Sequence, residues 1–293
     1  TKIPRFTFEK FPAADALWLE AVTFDNQRHY YNQQHQLLLT RHVHSDWLDW
    51  LYDFHLHLLG GETGHTANGI IGLLSLLLLL SGLWQWWPRR FSRRLFHLPK
   101  PDSSLRSLRQ YHSVLALLLL PLLLLTSATG AMMVFSQQTQ SVLHALLPPA
   151  VPAPKPVRSI APVPLSATNW TAALQSAQQH WPTQALRLVS LRQQDSEPIS
   201  FRAKAGNEWH PNGRGVLQLN PRDNSLLYAV AAAELATAER LRNSFYPLHI
   251  AAVGGTLYQL ALLLTGVLSL TLFVLGLLFS WHRLRALSSR SRG

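Results

Sequence analysis

Three long runs of this chain contain no Asp, Glu, Lys or Arg: Gly69–Trp87, Val114–Phe135 and Leu257–Trp281. Each reaches the roughly 20 residues needed to cross a hydrocarbon core about 30 Å thick. The stretch Leu73–Leu80 (LLSLLLLL) is apolar all round, as a soluble helix seldom is. The chain is therefore read as a membrane α-helical protein with three transmembrane helices.

The formal net charge is +11, which in a soluble protein would suggest nucleic acid as a partner. The location of the charge argues otherwise. Arg89, Arg90, Arg93, Arg94, Lys100, Arg106 and Arg109 fill the short loop between the first two helices, and Arg283, Arg285, Arg290 and Arg292 follow the third. Both clusters fall on one side of the membrane, as the positive-inside rule expects of cytoplasmic segments. The expected partner is the lipid bilayer, with no nucleic acid. Trp84, Trp86, Trp87 and Trp281 abut the basic clusters as an interfacial belt, and Trp47 and Trp50 mark the outer interface.

This topology puts residues 1–65 and 136–245 outside the cytoplasm, and the absence of cysteine fits an exported environment. Three spans leave the amino terminus outside. That implies a signal peptide or a further transmembrane helix upstream of Thr1, and the residues do not say which. Residues 1–45 read as a β-rich extracytoplasmic segment, with a β-prone run Leu17–Phe24 and a strand–turn–strand Tyr30–Leu38. Residues 46–88 hold a histidine segment and the first membrane helix, 89–110 a cytoplasmic basic loop, and 111–135 the second membrane helix. A Pro-rich linker, 136–165, is expected to be extended and solvated. A small α+β module follows over 166–243. Ser166 is its expected first N-cap, for a helix through Trp181, with strands at Ala185–Leu191 and Ile199–Ala203 and a hairpin over Val216–Val230. A second histidine segment with the third membrane helix spans 244–282, and a cytoplasmic tail 283–293.

Two of these segments repeat one pattern, 194 residues apart and without a gap: Tyr-x2-His-x4-Gly-Gly-x10-Gly-x2-Ser-x6-Gly-x4-Trp-x-Arg. The first copy is Tyr52, His55, Gly60, Gly61, Gly72, Ser75, Gly82, Trp87 and Arg89; the second is Tyr246, His249, Gly254, Gly255, Gly266, Ser269, Gly276, Trp281 and Arg283. Leu-rich helices resemble one another by chance, but a shared Tyr-x2-His before a glycine pair is harder to dismiss. It marks two helices built alike, each presenting a histidine near the same end, as an axially ligated haem iron requires. About 20 helical residues above Trp87 the outer boundary falls near Ala67, so His55 sits at or above it unless Gly60–Gly61 breaks the helix. His57 competes with His55, although its counterpart in the second copy is Ala251. His112 enters the membrane at the opposite, cytoplasmic end, and no other histidine is well placed at that level. His42-x-His44 is a weak metal motif, and His29, His35, His65, His144, His180 and His210 read as surface residues.

The stretches Asp53–Gly64 (DFHLHLLGGETG), Ser81–Arg90 (SGLWQWWPRR), Tyr111–His112, Thr126–Gly130 (TSATG) and Tyr246–His249 (YPLH) resemble the PepSY-associated transmembrane family. The resemblance spans most of the chain. It implies a fold of four membrane helices with a PepSY-like extracytoplasmic module, and an inner-membrane ferric-siderophore reductase holding two b-type haems. His55 and His249 match the outer haem's ligand positions, and His112 matches one inner ligand. The family's first helix, which carries the other inner histidine, has no counterpart in this sequence.

The function expected on these grounds is a bacterial inner-membrane protein with one or two b haems, passing electrons outward to a ferric siderophore in the periplasm. The residues do not identify the electron donor. The alternatives are a haemless scaffold that binds peptide or a peptidase, and a cytochrome subunit serving another redox partner. Arg187, Arg192, Arg202 and Arg214 are the cations available to attract an anionic chelate.

Overall fold

The computed structural model describes residues 6–14, 16–42, 45–87, 104–148 and 154–290. The chain divides into two compact units, residues 1–64 with 136–247 and residues 65–135 with 248–293.

The first unit is built on one antiparallel sheet. Its strands are β1 (Phe6–Lys10), β2 (Leu19–Thr23), β3 (Arg28–Tyr31), β4 (Leu37–Arg41), β5 (Ala185–Ser190), β6 (Ile199–Lys204), β7 (Gly215–Leu219) and β8 (Leu226–Val230). Their order is β4-β3-β2-β1-β5-β6-β7-β8. The sequence divides the amino-terminal strands from the later α+β module, but β1 pairs with β5 (Phe8↔Ser190, Lys10↔Leu188) and joins them. Apart, β1 and β5 would each be an unpaired edge. The sheet is thus two four-stranded meanders, each running from the centre to an outer edge.

Alternation sets the core. On β6, Ile199, Phe201 and Ala203 are buried while Ser200, Arg202 and Lys204 face the other way. Ile199 and Phe201 pack with Val189, Leu217 and Leu219 against Ala173 and Ala177. These alanines, one turn apart on a helix over Trp170–His180, let it approach closely. That helix begins later than the sequence suggests. Pro164 opens a short 3-10 turn over Leu165–Ala167, and the cap is Asn169, whose Oδ1 accepts from Ala172 N at 3.0 Å.

The described part of the Pro-rich stretch is tied down. Ile160 N donates to Ser196 O and Val163 N to Asp195 O, both at 2.9 Å, while Val157 exchanges two hydrogen bonds with the Gln218 amide. Residues Ser136–Leu146, at the start of the expected linker, are helical.

Two helices of eleven and thirteen residues carry the repeat histidines, α1 (Trp47–His57) and α2 (Thr237–His249). Each leads into a membrane helix. Between α1 and α3 (Gly61–Trp86) the backbone turns left-handed at Leu58, Leu59 and Gly61; between α2 and α4 (Gly255–Arg290) it does so at Ala251, Gly254 and Gly255. In both copies the soluble helix ends before the glycine pair, and the second glycine opens the membrane helix at positive φ.

The second unit contains α3, α4 and α5 (Leu105–Val134), and among the described residues these are the three helices long and apolar enough to cross a membrane. Ser104 caps α5, its Oγ accepting from Ser107 N at 3.2 Å. Helix α5 packs along α4. Against α3 it meets glycines: a Cβ on Gly69 would stand 2.5 Å from Val134 Cγ1, and one on Gly72 would stand 3.4 Å from Ala131 Cβ. Little of the apolar surface of α3 and α4 is buried within protein. Leu78, Leu257 and Leu270 stand exposed, which only a hydrocarbon surrounding makes favourable. The basic stretch 88–103 lies outside the described residues.

Candidate functional site

Helix α1 is amphipathic in the inverted sense. Its polar face turns toward protein: Asp49, Tyr52, Asp53, Leu56 and His57 line a cleft of about 200 Å³ with Asn26, Arg28, Arg41 and His42. Asp46 caps the helix, accepting from Asp49 N at 2.9 Å, and Arg41 pairs with Asp46 at 2.8 Å. Its apolar face looks outward, with Trp47 70 % exposed and Trp50 stacked on Phe54 at 5.7 Å. A helix so arranged expects an apolar medium on its outer side, as the interfacial reading of Trp47 and Trp50 requires.

The competing histidines of α1 fall on different faces. His57 belongs to the polar cleft, where its Nδ1–H donates to Asp53 Oδ1 at 2.7 Å one turn back. His55 lies on the exposed side. His42 lines the polar cleft, and His44 lies outside the described residues. Among the described residues, no three metal-ligating side chains gather in one place.

His249, the last residue of α2, is held against α5 by a patch that recurs at one helical turn. Its Nδ1 lies 3.2 Å from Thr126 O and 3.1 Å from Thr129 Oγ1. A carbonyl only accepts, so Nδ1 carries the proton. The Thr129 hydroxyl is committed as donor to Leu125 O at 2.7 Å and is therefore an acceptor toward the ring. Gly130 completes the seat, since a Cβ there would stand 3.1 Å from His249 Cε1. A neutral ring so fixed has its lone pair on Nε2, the arrangement in which outer partners orient a metal-ligating histidine.

His112 lies near the other end of α5, fourteen residues before Thr126, or about 21 Å along the axis. Its Nδ1 is buried without a hydrogen-bond partner. The ring rests over Gly276 of α4, where a Cβ would stand 3.5 Å from Cε1. It borders a cleft of about 890 Å³ between the three membrane helices, whose other walls include Leu79, Gly82, Trp86, Leu272 and Phe273. The described residues bring no second histidine to this cleft.

Burial raises the Tyr246 hydroxyl pKa above its usual value and Tyr52 adds to it, while Arg214 and Arg28 pull it down. Of the arginines proposed for chelate attraction, Arg192 is a structural staple, 6 % exposed and donating to Glu197 O, Thr168 Oγ1, Val163 O and Asp195 O at 2.6–2.8 Å. Sequence reasoning also put His210 on the surface, and it is 6 % exposed. A single histidine in a loop gives no periodicity from which burial can be read.

No curated protein matches this chain. The family model described as the PepSY-associated TM region matches residues 5–283, nearly all of the 293. With that match over nearly the whole chain, and three described helices long and apolar enough to cross a membrane beside an α+β sheet, the chain belongs to the PepSY-associated transmembrane family.

Proposed function

We propose that this membrane protein holds b-type haem between histidines and passes electrons outward to ferric iron bound by a siderophore. The observation that carries the reading is His249, whose Nδ1 is committed to Thr126 O and whose ring is seated on Gly130. His55 would be its partner, because the outward side of α1 is apolar whereas His57 belongs to a small polar cleft. The donor set fits the cofactor: imidazoles, glycines where a flat ring system needs room, and apolar walls. His112, with its orphaned Nδ1 beside the apolar three-helix cleft, fits one side of an inner haem.

A haem held between two imidazoles supplies one-electron transfer with both axial positions filled. The chain's own groups orient and exclude. Thr126 and Thr129 fix the His249 ring, and the leucines of α3, α4 and α5 keep water from the inner cleft. Reduction suits iron release, since ferrous iron is held less tightly by hard oxygen chelators.

The optical spectrum of the purified protein tests this. A Soret band with a low-spin b-type signature is expected, together with about one haem per polypeptide by pyridine haemochrome. Absence of a Soret band returns the haemless scaffold. Dithionite-reduced protein that is not reoxidised by a ferric hydroxamate chelate points instead to another redox partner. On this reading 136–245 lies in the periplasm and the protein in the inner membrane. A Cys at Ser159 should then label from the periplasmic side and a Cys at Ser103 should not; the opposite result inverts the topology.

A further inference from the structure

The loop joining β6 to β7 is fixed by its own hydrogen bonds. Glu208 N donates to Ala205 O at 3.1 Å, Ala205 N donates to Glu208 Oε2 at 3.3 Å, and Gly213 N donates to His210 O at 3.0 Å. Gly213 has φ +69°, and a Cβ there would collide with Ala203 O. The chain thus passes directly over the end of β6, as only glycine permits. With Ala203 opposite Gly215 and Arg202 opposite Val216, the next positions along the ladder bring Arg214 beside Lys204. Arg202 and Lys204 share the face of β6 that points away from the core.

Within this loop lies a buried histidine. His210 is stacked on Tyr246 of α2, with ring centroids 5.2 Å apart and planes at 28°. Asn212 N donates to its Nδ1 at 3.2 Å, so the neutral ring carries its proton on Nε2. Burial, then Arg214, Arg202 and Lys204, hold its pKa down at about 3. The ring therefore stays a neutral donor across the physiological range. Arg242, also on α2, donates to Gln140 Oε1 at 2.9 Å. Burial, then Arg202 and Arg242, push the Arg214 guanidinium down to about 10, and the carboxylate that counters this is Glu208.

In the amino-terminal half of this sheet Lys10 and Arg28 share Glu20, and Arg41 holds Asp46. The cations gathered at the β6–β7 loop have no such partner. Among the described residues, Arg202, Lys204, Arg214 and Arg242 form no salt bridge. Nε of Arg214 and Oε1 of Glu208 are buried without partners. Partly buried like charges repel at a cost that a bound counter-charge removes, and guanidinium forks fit oxyanions bidentately.

We propose that Arg202, Lys204, Arg214 and Arg242, with His210 and Tyr246, form a binding site for a compact multivalent oxyanion, a carboxylate or a phosphate. The site rests on the placement of charge and stands apart from the haem reading, so either can fail alone. Its ligand is a soluble anion or the phosphate of an acidic lipid headgroup, and the test separates the two.

The test is calorimetric titration of the full chain in uncharged detergent with citrate and, separately, inorganic phosphate. The chain is then titrated in phosphatidylcholine nanodiscs with and without phosphatidylglycerol. Saturable binding of at least one anion is expected. Arg214→Gln should weaken it about ten-fold and Lys204→Gln several-fold, while Arg222→Gln, on the exposed β7–β8 turn, should leave it within about two-fold. Should Arg214→Gln fail to fold, Lys204→Gln, on the outward face of its strand, decides alone. Competition by phosphatidylglycerol identifies the lipid headgroup as the source, and undiminished citrate or phosphate binding identifies a soluble anion. The proposal falls if neither anion binds saturably in either setting, or if Arg222→Gln weakens binding as much as the cluster variants do.

Discussion

The two copies of the repeat share a frame of spacings but end their soluble helices differently. Helix α1 runs two residues past His55, to His57, whereas α2 stops on His249. The 194-residue offset sets Asp53 against Pro247, His57 against Ala251 and Gly64 against Tyr258. In the first copy Asp53 and His57 bond across one turn. In the second those positions hold a proline and a left-handed alanine at φ 52°. The helix end then packs on Gly64 in the first copy, where a Cβ would collide with His57 O. In the second it is tied by the Tyr258 hydroxyl, which donates to Leu248 O at 2.7 Å. Three substitutions inside a common frame thus decide whether the shared histidine ends its helix or stands two residues short of the end.

The comparison breaks first at the ligands. If the copies are equivalent in function, His249→Ala and His55→Ala should each remove most of the outer low-spin absorbance, more than about ten-fold, without loss of the protein from the membrane. His57→Ala should be mild. Reduced spectra per polypeptide check this, and a harmless His55→Ala with a damaging His57→Ala would move the ligand to the histidine oriented by Asp53. An effect confined to His249 would make the repeat structural on one side only.

Next come the two ways of closing the break. Gly64→Ala forces backbone against backbone, and about 2–4 kcal/mol of destabilisation is expected. Tyr258→Phe removes one hydrogen bond to a carbonyl and should cost about 1 kcal/mol. Thermal midpoints in one detergent give the order. Equal costs would mean that the first copy relaxes around the new methyl group, and that its closure is less rigid than the contact suggests.

The membrane helices were legible because lipid leaves no alternative for charge-free runs of twenty residues or more, and β6 because Ile199, Phe201 and Ala203 alternate with Ser200, Arg202 and Lys204. The join of β1 to β5 was not, since the pairing links residues some 180 apart and neither strand names its partner. Capping at Asn169 rather than Ser166 turned on Pro164, whose tight turn uses up the intervening residues. The repeat pointed to His55 and His249 as a related pair. That His249 has its Nδ1 committed to Thr126 O, and that His57 faces polar surroundings, depends on helix phase across elements distant in sequence. The charge cluster around His210 was hidden for the same reason: strand register and α2 assemble it from residues up to 40 apart.

The smallest expected effect concerns the pair that lengthens α1. Asp53 and His57 stand one turn apart, a spacing worth about 0.3–0.5 kcal/mol on a helix. Asp53→Ala alone is a poor probe, because alanine itself favours helix. A double-mutant cycle with His57→Ala cancels that gain and leaves the coupling. The amide to watch is that of Leu58, which donates to Phe54 O at 2.9 Å and closes the helix. Its exchange should quicken about two-fold in proportion to the coupling. A coupling of zero would assign the extra two residues of α1 to the contacts beyond them. Gly60 N donates to His57 O at 2.8 Å, and Gly64 makes room for that same carbonyl. In that event Gly64→Ala, rather than Asp53→Ala, should draw the end of α1 back toward His55 and make the first copy resemble the second.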